Sequence, residues 1–303
     1  MIELLTLFAN NLLPIILMAG AGFLLGKGLN LNPKTLSQVI FYIFSPCLVF
    51  KLLTHSELAN EDILSTMAFA GSFVLLVGAL AWGAGRLLKL ERNMLAAVMI
   101  TSMLMNAGNY GLPVTQFAFG ETALAYAALI FVVMSMLGNS VGVVIASAGS
   151  ASLKDSLLGL LRLPATYALL FGIIFVQFNL ILPLPLDRTV NLMGDAASPA
   201  MLILLGMQLT NVRWNGMTKA LSLATGIRLI VSPLLVLGLT HAFGVSGPVY
   251  QASVLQFAMP SAVMTTMLAT EFDTEPTFVT TVVMVTTLLS PLTITPLLAI
   301  LGA

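Results

Sequence analysis

Long apolar runs separated by short polar breaks dominate this chain, and their length sets the first expectation. A membrane helix needs about 20 consecutive, mostly apolar residues. Ten such windows lie along the sequence, at 8–26, 35–54, 63–85, 94–119, 122–148, 160–181, 188–209, 217–240, 248–270 and 277–300. The connections are short, carry Gly, Pro, Asn or charge, and leave no room for a separate soluble domain. The pattern predicts an all-α polytopic membrane protein with ten transmembrane helices.

Two of the windows are interrupted. Span 4 contains Met103-Leu104-Met105-Asn106-Ala107-Gly108-Asn109-Tyr110-Gly111-Leu112-Pro113, and span 9 contains Leu255-Gln256-Phe257-Ala258-Met259-Pro260-Ser261. Gly and Pro cost about 1 and 3 kcal/mol in a helix interior. Irregular backbone in hydrocarbon survives only against protein or a watery cavity. Breaks at corresponding places in two halves of a chain point to the binding site of a secondary transporter. A pair of Pro kinks in packed helices is the plainer alternative, and the Asn and Gln residues beside both breaks weigh against it. In this reading Pro113 and Pro260 each open a new half-helix, where the missing N–H is not needed. Two such N-termini near the midplane make an anion site without a basic side chain. The substrate-binding candidates are then Asn106, Gly108, Asn109, Tyr110, Pro113, Gln256, Pro260 and Ser261. Asn139 in span 5 either caps the same cavity or bonds a neighbouring helix.

The two halves also match elsewhere. Pro14 and Pro164 lie 150 positions apart, and Ser45-Pro46 and Ser198-Pro199 lie 153 apart. Pro113 and Pro260 are separated by 147, and Val132-Val133-Met134 and Val282-Val283-Met284 by 150. Four matches in order at nearly one offset suggest a duplication, with repeats at 1–150 and 151–303. Each repeat holds five spans, an odd number, so the second copy is expected upside down relative to the first. An inverted repeat makes two conformations with opposite-facing cavities physically natural.

Composition narrows the picture further. The chain is 58% hydrophobic and 8% charged, with a mean hydropathy of +1.03, against roughly 25% charged for soluble domains. The bilayer must therefore be the solvent for most of it. Net charge is zero, and no basic patch suggests nucleic acid. Cys47 stands alone, which excludes an intramolecular disulfide and fits a packing role. No metal-ligand spacing, phosphate loop or Ser-His-Asp set in an aqueous setting is present, so no enzyme activity or cofactor is expected. Glu3, with no basic stretch before the first apolar run, argues against a cleaved signal peptide. Only Asp195 and Arg228 lie deep in predicted spans, where charge is costly. They are expected either to pair or to serve coupling or substrate. No acidic pair lies in the broken spans, which disfavours a proton exchanger built on one. Lys51 is expected to snorkel at an outer end, and His55 and His241 to lie at interfaces.

These motifs, taken together, resemble the auxin efflux carrier family, which includes plant auxin carriers and bacterial malonate or malate permease-like proteins. The resemblance is carried by Asn11-Leu12-Leu13-Pro14-Ile15, Phe44-Ser45-Pro46-Cys47-Leu48-Val49-Phe50-Lys51, Gly108-Asn109-Tyr110-Gly111-Leu112-Pro113 with Phe119-Gly120, Gly194-Asp195-Ala196-Ala197-Ser198-Pro199, and Met259-Pro260 with Thr286-Thr287-Leu288-Leu289-Ser290. It implies two inverted five-helix repeats with crossed spans 4 and 9, as in bile-acid/sodium symporter-like folds. Spans 1, 2, 6 and 7 would form a scaffold, and spans 3–5 and 8–10 a transport domain. The plant carriers have a long central cytoplasmic loop; residues 149–159 stand in its place, as in a compact prokaryotic branch.

The expected function is secondary transport of small organic anions, mono- or dicarboxylates, across the cytoplasmic membrane. Coupling to H⁺ or Na⁺ and a homodimeric assembly are left open. The rivals are a sodium-coupled symporter of bulkier amphipathic acids and a membrane sensor that binds ligand without moving it. Basic residues set the orientation. With both termini on the outer face, the inner loops hold Lys27, Lys34, Arg86, Lys89, Arg92, Lys154, Arg162, Arg213 and Lys219, and the outer loops only Lys51 and Arg188. In a Cys47→Ser background, a single Cys at position 2 is expected to react with an impermeant thiol reagent from outside, and one at position 154 to be protected. The reverse pattern would invert the orientation.

Overall fold

The computed structural model describes residues 2–29, 31–55, 60–147, 163–209 and 219–303. In chain order the helices are α1 (Leu4–Leu29), α2 (Pro33–His55), α3 (Glu61–Leu87), α4 (Arg92–Met103), α5 (Ala107–Ala146), α6 (Pro164–Gln177), α7 (Leu184–Gln208), α8 (Lys219–Ala242), α9 (Gly247–Phe257), α10 (Met264–Glu271) and α11 (Pro276–Leu301). Seven of these, α1, α2, α3, α5, α7, α8 and α11, are long and apolar enough to cross a membrane. Among the described residues there is no sheet, and the one extended pairing is a single bridge between Met105 and Ser261. The basic residues Lys154, Arg162 and Arg213, and the 149–159 connection, lie outside the described residues.

Helix α5 runs for 40 residues, about 60 Å if straight, twice the roughly 30 Å of a bilayer core. It turns at Gly120, whose φ of +74° suits a residue without a Cβ. The turn separates the stretches expected as the end of span 4 and as span 5.

Proline is handled inside helices by a recurring device. A wide turn ends two residues before each of Pro14, Pro46, Pro113 and Pro233, at Phe8–Leu12, Ile40–Phe44, Ala107–Gly111 and Ile227–Val231. In each case the residue just before the proline donates its N–H five residues back, as Leu112 does to the Ala107 carbonyl. The extra residue in the turn relieves the clash between the proline ring and the carbonyl four residues earlier. This corrects the sequence reading of Pro113. It does not open a half-helix but sits inside α5, which begins at Ala107. Pro260 likewise lies within the break, and α10 begins at Met264.

The apolar faces are divided as a bilayer requires. Leu17, Leu24, Leu64, Trp82, Phe171, Leu234 and Leu292 are all exposed, more outward apolar surface than a water-soluble chain tolerates. Helices α1 and α7 meet backbone to backbone. A Cβ on Gly22 would fall 2.1 Å from the Ile203 carbonyl oxygen, and one on Gly206 would fall 1.8 Å from that of Ala19. Small residues allow such close approach between membrane helices. Helix α2 packs on α6 and on the first half of α7. On the other side α9 crosses α5, α3 lies against α4 and α5, and α8 and α11 flank α4.

Candidate functional site

The two interrupted spans meet at their breaks. Residues 104–106 and 258–263 leave the helical path and are all buried. Backbone freed in this way must find partners where no water is at hand. It finds them across the crossing: Asn106 donates its N–H to the Pro260 carbonyl at 2.8 Å, and Ala262 donates to Leu104 at 2.8 Å. Ser261 adds two ties, its N–H to Thr286 Oγ1 at 3.2 Å and its hydroxyl to the Thr101 carbonyl at 2.7 Å.

Each half-helix then presents a defined end. On one side lie the N-termini of α5 and α10, facing a cavity of about 60 Å3. Its walls are residues 105–109 from the first break, Ala262, Val263 and Met264 from the second, Phe131, Met134 and Ser135 from α5, Ser37 and Phe41 from α2, Gln208 from α7, and Met267. Two buried polar atoms of these wall residues have no hydrogen-bond partner among the described residues, Asn106 Nδ2 and Gln208 Oε1. Asn106 is 5% exposed.

On the other side lie the C-termini of α4 and α9. Arg228, 1% exposed, donates to the Ser102 carbonyl at 2.9 Å and to the Phe257 carbonyl. It also bonds the Ser232 hydroxyl, which itself donates to Phe257 at 3.0 Å.

The sequence-predicted residues divide between these surroundings. Asn106, Gly108 and Asn109 line the cavity. Gly108 is small because Phe131 presses on it, 2.8 Å from where a Cβ would sit. The others fall outside the cavity wall. The Tyr110 hydroxyl accepts from Ser290 at 3.3 Å. Gln256 is fully buried with its Nε2 on Thr115 Oγ1 at 3.3 Å, and its Oε1 leaves no room for a Cβ on Gly111. Pro260 and Ser261 act through the backbone pairing, and Asn139 donates to the Ser135 carbonyl at 2.8 Å, one turn from the wall.

The expected Asp195–Arg228 pair is not formed. Asp195 is 59% exposed and bonds Lys51 Nζ at 2.6 Å. Lys51, expected to snorkel freely, is 18% exposed in that pair. The reason lies in the helix ends. Arg228 is neutralised by carbonyl dipoles, which sequence does not display as charge. His55 lies 3.4 Å from Asp187 near the same end of the molecule. Gln208, Ser135, Ser37 and Phe41 were missed. Of these only Gln208, a lone amide closing an apolar run, carried a signal in the sequence.

Many apolar helices, with two interrupted spans paired by backbone beside a cavity, define a polytopic membrane protein with a built internal crossing. The chain belongs to the family described as Membrane transport protein, the auxin efflux carrier family, whose profile matches residues 7–298. It is 26% identical to an "Uncharacterized transporter" of Methanothermobacter thermautotrophicus, covering 86% of each chain. It is also 26% identical to a "Putative malonate transporter" of Rhizobium meliloti, over 87% of this chain and 85% of the other. A 131-residue stretch is 27% identical to "Auxin efflux carrier component 1" of Arabidopsis thaliana, over 41% of this chain and 21% of that one.

Thermal unfolding of purified variants tests the charge partners. The stability losses of Asp195→Asn and Arg228→Gln are expected to add within about 0.5 kcal/mol, as for independent sites. Lys51→Met and Asp195→Asn are expected to couple by up to about 1 kcal/mol, the range for an accessible pair. A coupling above about 1 kcal/mol between Asp195 and Arg228 would restore the original pairing.

Proposed function

We propose that this protein is a secondary carrier of small organic anions, mono- or dicarboxylates, in the cell membrane. It works by alternating access of two inverted five-helix repeats, ten spans in all. The observation that carries the substrate class is Asn106 Nδ2, a buried N–H donor with no partner among the described residues, on a residue that lines the cavity between two half-helix N-termini. Each helix N-terminus carries roughly half a positive charge and free N–H groups. A carboxylate would satisfy both features at once, with Asn109 on the same wall.

The small cavity favours a compact acid over a bulky amphipathic one. The malonate named for the Rhizobium meliloti relative is of that size class. The ten-span reading rests on α4 with the first part of α5, and α9 with α10, each serving as one broken span. An antiparallel backbone bridge at the crossing is what a two-fold relation between inverted halves would produce. The close packing of α1, α2, α6 and α7 supports a scaffold distinct from the crossed helices.

The cavity wall takes the start of α2, the end of α7 and α10, the ends that the basic-residue bias assigns to the cytoplasm. On the opposite side Ser198 of α7 donates to Gln116 of α5 at 2.8 Å. In this reading the conformation faces inward, with the outer path closed by that contact.

Calorimetric titration of purified protein with malonate and related acids tests the site. Asn106→Ala is expected to weaken binding by about 1–3 kcal/mol, the cost of leaving a buried polar partner unmet. Thermal stability should change little, because Asn106 Nδ2 gives up no protein hydrogen bond on truncation. Wild-type affinity in Asn106→Ala would remove the carboxylate from this cavity.

A further inference from the structure

The carbonyl side of the crossing carries a cation that belongs to the protein. Two half-helices end there, α4 and α9, and each C-terminus bears roughly half a negative charge. Their sum is close to one elementary charge. The Arg228 guanidinium meets it with bonds to Ser102 and Phe257, one carbonyl from each half-helix, and with the Ser232 hydroxyl as a third oxygen. Among the described residues no carboxylate lies within ion-pair distance of Arg228. Carbonyl and hydroxyl oxygens converging from two broken helices are the donor set of a hard cation. In transporters with discontinuous helices, unwound carbonyls and half-helix C-termini are where sodium is held.

We propose that Arg228 fills this position as a built-in cation, so that the carrier binds its anion without an alkali-metal co-substrate. This rests on the carboxylate reading above and fixes its coupling. The anion and the cation then occupy opposite faces of one crossing. The N-termini of α5 and α10 receive the substrate, and the C-termini of α4 and α9 are already neutralised by a side chain from α8. A sodium ion entering from the cytoplasm would meet a guanidinium already bonded to the oxygens it needs. Arg228 is a positioning residue here: it holds the two breaks together and does not touch substrate.

The experiment compares sodium with choline at equal ionic strength. Wild-type affinity for malonate is expected to agree within about twofold in the two buffers, and the wild-type melting temperature to be indifferent to sodium. Arg228→Ala, which empties the site, is expected to lose stability in choline and to regain it with added guanidinium or sodium in a saturable manner, as a bound ligand requires. Arg228→Lys, which keeps the charge, is expected to bind malonate without sodium, more weakly than wild type. Wild-type binding that falls about tenfold or more on removing sodium would overturn the proposal. An Arg228→Ala protein as stable as wild type without any added cation would overturn it too. If wild type binds no carboxylate in either buffer, the substrate reading fails, and the melting responses of wild type and Arg228→Ala still decide the cation question. If Arg228→Ala cannot be purified, the wild-type comparison and Arg228→Lys decide it.

Discussion

Two backbone hydrogen bonds, Asn106 N–H to Pro260 and Ala262 N–H to Leu104, are what the rest of this structure depends on. Breaking a helix inside a hydrocarbon layer strands donors and acceptors at several kcal/mol each. Two breaks brought together can satisfy one another, which a single broken helix cannot do. That requirement fixes how α4, α5, α9 and α10 are arranged. It also explains the buried hydroxyls around the crossing. Thr286 and Ser261 serve backbone groups that the antiparallel bridge leaves over.

Once the breaks are paired, the polarity of the peptide groups does the sorting. Four half-helix ends converge, two positive and two negative. The positive ends open on the cavity with Asn106 and Asn109. The negative ends close on Arg228. A chain with only 8% charged residues can thus hold a strong local field without exposing charge to lipid. Elsewhere the packing problem is solved sterically. The glycines of α1 and α7 allow backbone contact that any side chain would prevent.

Much of this was legible in the sequence because hydropathy reports solvent directly. The long apolar runs, the paired interruptions and the cavity-lining Asn106, Gly108 and Asn109 all follow from what a bilayer tolerates. The exact position of the first break within its stretch did not follow. Proline suggested Pro113 as a helix start, but a wide turn absorbs that proline, and the break falls instead at Leu104–Asn106, at the front of the interrupted stretch. The partner of Arg228 was misjudged for a related reason: the sequence displays carboxylates but not the dipoles of helix ends. Gln208 belongs to the cavity only because α7 lies across the breaks, a tertiary fact with a weak local signature.

The account as a whole turns on where an anion sits relative to the crossing. A difference map of crystals grown with and without malonate measures this directly. The account predicts density against Asn106 and the first residues of α5 and α10, on the face opposite Arg228. Density in contact with the Arg228 guanidinium, or at the Lys51–Asp195 pair, would contradict it.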